Sequence, residues 1–379
     1  MRSSSTFSRM MPQKKIHIVA FDIPWPADYG GVIDIFYKIK ALHALGYAIS
    51  LHCFEYGRKH QDTLLTYCSN VFYYPRKMHK GLLLHHLPFI VVSRQSDELL
   101  NRIVNDDAPI LFEGIHCSYY ANEVDLSKKK KILRLHNIEH DYYHALAKQE
   151  INPFKKIYFG LEAEKLRRYE STLSAVDHVA CISSGDCEAL KPVFAHACYI
   201  PPFHPFEKIQ IQKGLGNYCL YHGNLSVAEN YQAALFLIKE VFNDLNYSLI
   251  IAGNKPPNSL IKAAAYLPNV KIMSQVDDTS MQQLIANAQI NILPTFQATG
   301  IKLKLLYALY NGRHCMVSKE MVYNTGLESL CHVVKDPDEY KAGIINLMAT
   351  PFQELDVRSH LLHQHFNNLE NAKRLTEIF

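Results

Sequence analysis

The sequence predicts a parallel α/β fold built as two units in series, and three observations support this prediction. Short β-rich runs alternate with helical runs, as they do where crossover helices join parallel strands. The alternation stops at residues 200–205, where three prolines disfavour helix, and then restarts. The chain has 379 residues, which is too many for one ordinary domain and suits two.

The elements of each unit follow from hydrophobic periodicity and from turn residues. In the first unit we predict strands at residues 16–21, 48–53, 110–112, 131–135 and 178–182, with helices at 32–45 and 154–174. In the second unit we predict strands at residues 218–221, 247–252, 270–273, 290–293 and 315–318, with helices at 229–242, 280–288 and 303–310.

These elements define the expected domains. Residues 1–14 form a leader that we expect to be disordered, residues 15–200 a Rossmann-like first domain, and residues 201–354 a Rossmann-like second domain. A helix within residues 355–379 is a candidate to pack back on the first domain. Because open α/β sheets bind ligands at the carboxyl ends of their strands, we expect parallel sheets facing across an interdomain ligand cleft.

Composition narrows the class of protein. The net charge of +4 gives no reason to expect a nucleic-acid partner. The nine cysteines are an odd number without a CxxC pair, which favours a reducing cytoplasm over a disulfide framework. The polar N-terminal segment resembles neither a signal peptide nor a membrane span. We therefore expect a cytoplasmic protein.

Two motifs follow strands of the first unit. Gly30 and Gly31 stand before a helix, where backbone N–H groups and the helix dipole favour an anion; an ordinary tight turn is the alternative. His136 and Glu139 come at the end of a strand and offer hydrogen-bonding and proton-carrying groups to a hydroxylated ligand. Their spacing differs from that of a zinc helix, so no metal is assigned.

Two further motifs lie in the second unit. Gly223 and Asn224 follow a strand and precede a helix, either as an anion site or as a turn in which Ser226 or a neighbour caps the helix. The loop from Thr299 to Lys302 precedes another helix. Cations are unfavourable at a helix N-terminus unless an anion is bound, so Lys302 with the backbone of this loop predicts a diphosphate site.

Two basic and apolar segments, residues 73–86 and 154–168, are candidates for peripheral contact with an anionic membrane. Solvated helix faces are the alternative interpretation.

Taken together, these motifs resemble the GT-B glycosyltransferases, most closely the mostly retaining family four of bacterial surface-polysaccharide synthesis. The resemblance extends over residues 15–336 and rests on the glycine pair, on residues 136–139 and 181–186, and on the second-unit motifs at 222–230, 252–254 and 300–312. It implies a nucleotide-sugar donor, UDP- or GDP-linked, without a further cofactor. It also implies a glycan or lipid-linked acceptor.

By position, the resemblance implies that His136 lies near the transferred sugar, with His136 and Glu139 as the catalytic candidates. The donor would contact the other candidate residues: Gly30, Gly31, Gly223, Asn224, Lys255, Val276, Thr299, Gly300, Ile301, Lys302 and Tyr307. The family usually has two glutamates where this chain has Thr299 and Tyr307, and an arginine where it has Asn224. Lys302 or Lys255 would replace the missing positive charge.

The sequence therefore predicts a metal-independent, retaining glycosyltransferase acting in the cytoplasm, with the inner face of the plasma membrane as a candidate location. Two alternatives remain open: a non-catalytic GT-B subunit that partners an active transferase, and a sugar-nucleotide epimerase, which shares the fold.

Overall fold

The computed structural model describes residues 14–150, 152–296, 302–353 and 355–379. The chain divides into two compact units. The first comprises the described residues up to Pro205 and residues 368–379, and the second comprises residues 206–367. The expected leader, apart from Lys14, lies outside the described residues.

The first unit contains a seven-stranded parallel sheet with the strand order β3-β2-β1-β4-β5-β6-β7. Its strands are β1 (Lys15–Ala20), β2 (Ala48–Glu55), β3 (Asn70–Pro75), β4 (Ile110–Glu113), β5 (Lys131–Leu135), β6 (His178–Cys181) and β7 (Ala197–Tyr199). Its first six helices are α1 (Gly30–Ala44), α2 (Phe89–Val92), α3 (Asp97–Ile103), α4 (Glu139–Gln149), α5 (Pro153–Glu170) and α6 (Ser184–Leu190).

The second unit contains a six-stranded parallel sheet with the order β10-β9-β8-β11-β12-β13. Its strands are β8 (Cys219–His222), β9 (Leu249–Ala252), β10 (Val270–Met273), β11 (Ile290–Leu293), β12 (His314–Ser318) and β13 (His332–Val334). Its helices are α7 (Ala228–Phe236), α8 (Asn258–Ala265), α9 (Asp278–Asn287), α10 (Leu303–Asn311), α11 (Lys319–Val322), α12 (Pro337–Met348) and α13 (Leu355–Phe366). A π-helical turn, Leu237–Val241, extends α7.

Helices cover both faces of each sheet, so the central strands are buried on both sides. Every residue of β4, β5 and β11 is buried. Such strands are typical of parallel sheets, whose crossover helices shield both faces from water. The predicted α/β fold with two parallel sheets is thus confirmed.

Three strands have no counterpart in the sequence prediction, namely β3, β7 and β13. Each lies at the edge of its sheet, and β7 and β13 contain only three residues. An edge strand is partly exposed, so its residues need not form the apolar run that identifies a central strand. Segment 73–86, one of the two candidates for membrane contact, begins inside β3 and includes a 3₁₀ turn at Lys80–Leu84.

The last helix, α14 (Asn368–Thr376), belongs to the first unit, while α13 belongs to the second. Asn368 bonds the backbone of His204 twice: its Oδ1 accepts from the N–H at 3.2 Å, and its Nδ2 donates to the carbonyl at 2.7 Å. Ala372 and Leu375 are fully buried in the core that α1 also lines. Of the C-terminal residues, it is therefore α14 that completes the first unit.

Within the described ranges, none of the helices combines the length and the apolar character needed to cross a membrane.

We predict that Leu375→Ala destabilises the first unit by about 2–5 kcal/mol, because it leaves a cavity in a fully buried position. Urea unfolding followed by circular dichroism measures the change. Leu369→Ala is the matched control, because Leu369 lies on the same helix and is 40% exposed. If the two variants unfold at the same urea concentration, α14 does not contribute to the core as described.

Candidate functional site

The strand order of the first sheet reverses beside β1, which has β2 on one side and β4 on the other. Ligands of open α/β sheets bind at such a switch point, outside the carboxyl ends of the strands. Gly30 begins α1 after β1, Glu113 ends β4, and His136 follows β5. The carboxyl ends of these three strands therefore bring Glu113 and the candidate residues Gly30 and His136 to one edge of this sheet.

The predicted glycine turn and His136 come together at this edge. A Cβ on Gly31 would lie 2.6 Å from Cζ of Phe21 and 3.5 Å from Nδ1 of His136. The missing side chain of Gly31 thus lets the start of α1 approach both rings. Gly31 therefore permits close packing at this point. Because it has no side chain, no Gly31 atom beyond the backbone crowds Nδ1 of His136.

Four buried charged side chains lie next to His136. We call them the buried charge cluster: Asp34, Lys38, Glu113 and Arg134. Lys38 Nζ lies 2.7 Å from Asp34 Oδ2 and 2.9 Å from Glu113 Oε1. Arg134 donates to both oxygens of Asp34, at 2.9 and 3.2 Å. Two carboxylates and two cations balance, so the cluster carries no net charge that water would have to solvate.

Asp34 is the centre of this cluster. Burial by itself would raise the pKa of its carboxyl, but Arg134 and Lys38 reverse the effect and hold that pKa below its ordinary value. Burial likewise opposes the charge of Arg134, and Asp34 raises the arginine pKa above its usual value. Each ion is therefore stable in the interior only because its partners are present.

His136 is oriented by this cluster. Its Nε2 lies 3.3 Å from Glu113 Oε2 and 3.5 Å from Asp34 Oδ2. Because a carboxylate can only accept, Nε2 donates, and Nδ1 on the side of Gly31 is the nitrogen left to accept when the ring carries one proton. This arrangement can accept a proton from, or a hydrogen bond of, a ligand hydroxyl.

Among the residues that the structure describes, one set of three side chains comes close enough to share a metal ion, and it consists of Asp34, Glu113 and His136. The ammonium of Lys38 already contacts both carboxylates. A divalent cation would add positive charge where the carboxylates are already balanced, so these residues do not fit a metal.

Glu139 begins α4 and is buried. Burial, reinforced by the nearby Glu170, raises the pKa of its carboxyl to about 8. Glu139 is therefore mostly protonated at neutral pH and can donate a hydrogen bond. The carboxylates that orient His136 are instead Asp34 and Glu113, which the sequence prediction did not include.

Signals for the missed residues are present in the sequence. Asp34 and Lys38 are four residues apart within an otherwise apolar stretch of α1, so both fall on the buried face of that helix. Glu113 is the last residue of a strand whose other three residues are apolar. A charge within an apolar run indicates a buried ion that needs a partner, although the run does not identify that partner.

The second sheet has its switch point between β8 and β11. Glu229 lies in the first turn of α7, and Lys302 is the N-cap residue of α10. Lys302 Nζ lies 3.0 Å from Glu229 Oε1, and Thr295 donates its hydroxyl to the same carboxylate. The cation at the start of α10 thus has a carboxylate of the protein beside it, whereas the sequence interpretation required a bound anion there.

Lys304 lies in the same cluster. Its Nζ donates to Asn230 Oδ1 at 2.9 Å and lies 5.1 Å from the centre of the Tyr221 ring. Burial lowers the pKa of Lys304 to about 8. The charge of Glu229 acts against this decrease, and the charge of Lys302 adds to it. His222 ends β8 beside them; burial lowers its pKa to about 3, and its Nε2 has no hydrogen-bond partner in the described ranges. Two lysines thus lie at this sheet edge with a single carboxylate between them.

Two loops of the second unit pack against each other at the ends of β8 and β9. A Cβ on Gly253 would lie 1.8 Å from the carbonyl oxygen of Gly223, so only glycine permits this contact. Leu225 N donates to Asn254 O at 3.1 Å. The predicted residues Gly223, Asn224 and Lys255 therefore lie on adjoining loops.

Asn224 shapes its own turn. Its Oδ1 accepts from the backbone N–H of Ser226 at 3.1 Å and from the Ser226 hydroxyl at 2.8 Å. The alternative that Ser226 or a neighbour caps α7 is wrong, since the N-cap residue is Val227 and no side-chain hydrogen bond caps the helix.

Val276 and Tyr307 pack against one apolar cluster that includes Leu220, Ala252 and Ile285. Tyr307 therefore presents part of its ring to a core. The candidate residues Thr299, Gly300 and Ile301 lie outside the described residues.

Comparison with solved structures decides the fold. The N-terminal domain of a trehalose-6-phosphate phosphatase from Candida albicans aligns over 97% of both chains, with a TM-score of 0.64 and 10% identity. The UDP-forming trehalose-phosphate synthase of Burkholderia xenovorans, in complex with glucose-6-phosphate, aligns over 96% of this chain and 99% of its own, with a TM-score of 0.62 and 11% identity. The protein has the GT-B fold.

A third structure, HepE of Anabaena in complex with UDP and glucose, aligns over 96% of this GT-B chain and 98% of its own. The TM-score is 0.61 and the identity 12%. In sequence, the GT-B chain is 28% identical over 314 residues to a Klebsiella pneumoniae protein described as an uncharacterized 44.6 kDa protein in the cps region. That match covers 78% of this chain and 81% of the relative. The chain matches no model of a known protein family.

We predict that Asp34→Asn destabilises the first unit by about 3–5 kcal/mol at pH 7, because Lys38 and Arg134 lose their shared carboxylate. The pKa of Asp34 is depressed, so its contribution is complete above the unfolded pKa of about 3.9 and is lost as the pH falls below it. The difference between wild type and variant should therefore be constant from pH 7 to 5 and shrink below pH 4.

Urea unfolding at pH 7, 5 and 3 measures this difference. Asp125→Asn, at an exposed position of the same unit, is the control and should change stability by less than about 0.5 kcal/mol. A difference for Asp34→Asn that stays the same down to pH 3 would contradict the assigned ionisation.

Proposed function

We propose that this protein is a glycosyltransferase that moves a sugar from a nucleoside diphosphate to a glycan or lipid-linked acceptor. The observation that carries the proposal is the pair Lys302 and Lys304 at the switch point of the second sheet. A diphosphate there would meet two ammonium groups and the N-terminal ends of α7 and α10. Such groups stabilise the negative charge that develops on a diphosphate leaving group.

Glu229 has a specific part in this proposal. Its carboxylate neutralises Lys302 in the structure. Burial would raise the pKa of Glu229, but the charge of Lys302 outweighs burial and holds that pKa below its ordinary value. A diphosphate would compete with this carboxylate for the lysine. UDP and GDP are the proposed donor nucleotides, and the UDP of the fold relatives supports the first of these.

On the acceptor side we propose His136 and Glu139. Nδ1 of His136 would accept a hydrogen bond from a sugar hydroxyl, because Glu113 holds its Nε2. Protonated Glu139 would act as a donor. We further propose retention of the anomeric configuration, reaction without a metal, and a cytoplasmic role in bacterial surface polysaccharide synthesis. The relative from a cps region supports this setting.

A second candidate function is a non-catalytic subunit of the same fold. Tyr307, which packs on an apolar cluster, favours it, because a phenol cannot replace the carboxylate that the related transferases use there. Such a subunit could still bind a nucleotide, so binding and catalysis need separate experiments.

For binding, we predict that Lys302→Met weakens the affinity for UDP or GDP about 10- to 100-fold, because a hydrogen bond to a charged group contributes about 1.5–3 kcal/mol. Isothermal titration calorimetry with each diphosphate measures the affinity. Lys271→Met, at an exposed position of β10, is the matched control and should bind as the wild type does. If the wild-type protein binds neither diphosphate, the proposal is wrong.

For catalysis, we predict that a strain of the native host lacking this protein regains its surface glycan with the wild type or with Lys271→Met. His136→Ala and Lys302→Met should fail to restore the glycan, because one loses the acceptor contact and the other the diphosphate contact. Glycan staining measures the outcome, and circular dichroism checks that the variants are folded. Restoration by His136→Ala would favour the non-catalytic subunit, and an inverted anomeric linkage by NMR would overturn retention.

A further inference from the structure

Two neighbouring segments of the first unit expose large apolar side chains. One runs through the 3₁₀ turn Lys80–Leu84, and the other is the N-terminal half of α5. We call the exposed side chains of these segments the apolar face: Met78, Leu83, Leu84, Phe154, Ile157 and Leu161. Leu84 is 92% exposed and Phe154 is 82% exposed, so these two extend into solvent almost completely.

The members of the apolar face on α5 form one stripe. Phe154, Ile157 and Leu161 are spaced three and four residues apart, which places them on the same side of the helix. Lys165 continues the stripe, and its Nζ donates to the carbonyl of Leu83 at 2.9 Å. Glu162 Oε2 accepts from the backbone N–H of Phe89 at 2.6 Å. These two bonds hold the segments side by side.

Lysines predominate among the charges around the apolar face, and Glu150 just before α5 is the acid nearest the start of that helix. Neither residues 63–96 nor residues 152–161 contain an aspartate or glutamate. Exposed lysines adjoin the apolar side chains at positions 77, 80, 155 and 156. The nearest acids of α5 are already paired, Glu162 with Lys165 at 2.8 Å and Glu164 with Arg167 and Arg168 at 2.9 and 2.7 Å.

The start of α5 strengthens this argument. Its first turn contains no acidic residue, and Lys155 and Lys156 lie there. Cations at a helix N-terminus are unfavourable by up to about 1 kcal/mol each, and an external anion removes that penalty. Glu150 lies two residues before the N-cap, where its Oε1 accepts from the backbone N–H of Asn152 at 2.9 Å, so an external anion would add to an acid already present at this helix start.

We propose that the apolar face and its lysines bind the surface of an anionic lipid bilayer. Side chains such as Leu84 and Phe154 would enter the boundary between headgroups and acyl chains, while the lysines contact lipid phosphates. A fluid bilayer can accommodate side chains that project this far into solvent, because lipids rearrange around them. This inference does not rest on the proposed transferase activity, but it would bring the protein to a lipid-linked acceptor.

The test is co-sedimentation of the full-length protein with vesicles, without nucleotide or acceptor. Vesicles of 30% phosphatidylglycerol in phosphatidylcholine are compared with pure phosphatidylcholine, at 0.1 and 0.5 M NaCl. One variant combines Leu84→Ser with Phe154→Ser, and a second combines Lys155→Gln with Lys156→Gln. The matched control combines Val124→Ser with Lys128→Gln, an exposed apolar and basic pair elsewhere in the first unit.

The wild type and the control should bind the anionic vesicles and release them at 0.5 M NaCl, where the charges are screened. Each lysine near such a surface contributes about a fivefold factor in partitioning, so the lysine variant should bind about 25-fold more weakly. The serine variant should lose binding already at 0.1 M NaCl, where the wild type and the control are bound, because its lysines remain but its two most exposed apolar side chains are gone.

Equal binding to neutral vesicles, or a control as weak as the variants, would overturn the proposal. Absence of wild-type binding to the anionic vesicles would also overturn it. If size-exclusion chromatography then showed a dimer that only the serine variant abolishes, the apolar face would instead join two copies of the chain.

Discussion

The carboxylate of Asp34 is the constraint on which the first unit depends. It accepts from Lys38 of α1, from Arg134 of β5 and from the backbone N–H of Phe203 at 2.8 Å. Arg134 also donates to the carbonyls of Ile200 and Pro201. One buried anion thus joins the helix after the first strand, the middle of the sheet and the proline-rich segment near the end of the unit. Removing any partner would leave an uncompensated ion in the interior.

The same cluster prepares the candidate site. Glu113 and Asp34 face Nε2 of His136, so the imidazole is held by groups that also stabilise the fold. The second unit uses an ion pair in a similar position, because Glu229 and Lys302 come from two helices beside the switch point of its sheet. In that unit the pair lies nearer the surface, where a ligand phosphate could compete with the carboxylate.

The sequence supported the prediction of central strands well, since β4 and β11 each have three apolar residues out of four. It also indicated which loops carry function, because the carboxyl ends of parallel strands share one edge of a sheet. Gly31 and His136 were predicted separately, and the structure places them side by side. Glu229 was missed because a glutamate in the first turn of a helix is common, and its partner is 73 residues away.

The sequence alone determined the α/β class, the two units and the strand-end positions of most candidate residues, because these follow from local periodicity and from turn residues. Only the tertiary structure decided which charges neutralise one another. Asp34 and Arg134 are 100 residues apart, and nothing local in either segment specifies the other. Pairing of buried ions depends on the register and order of the strands, which place distant residues within hydrogen-bond distance.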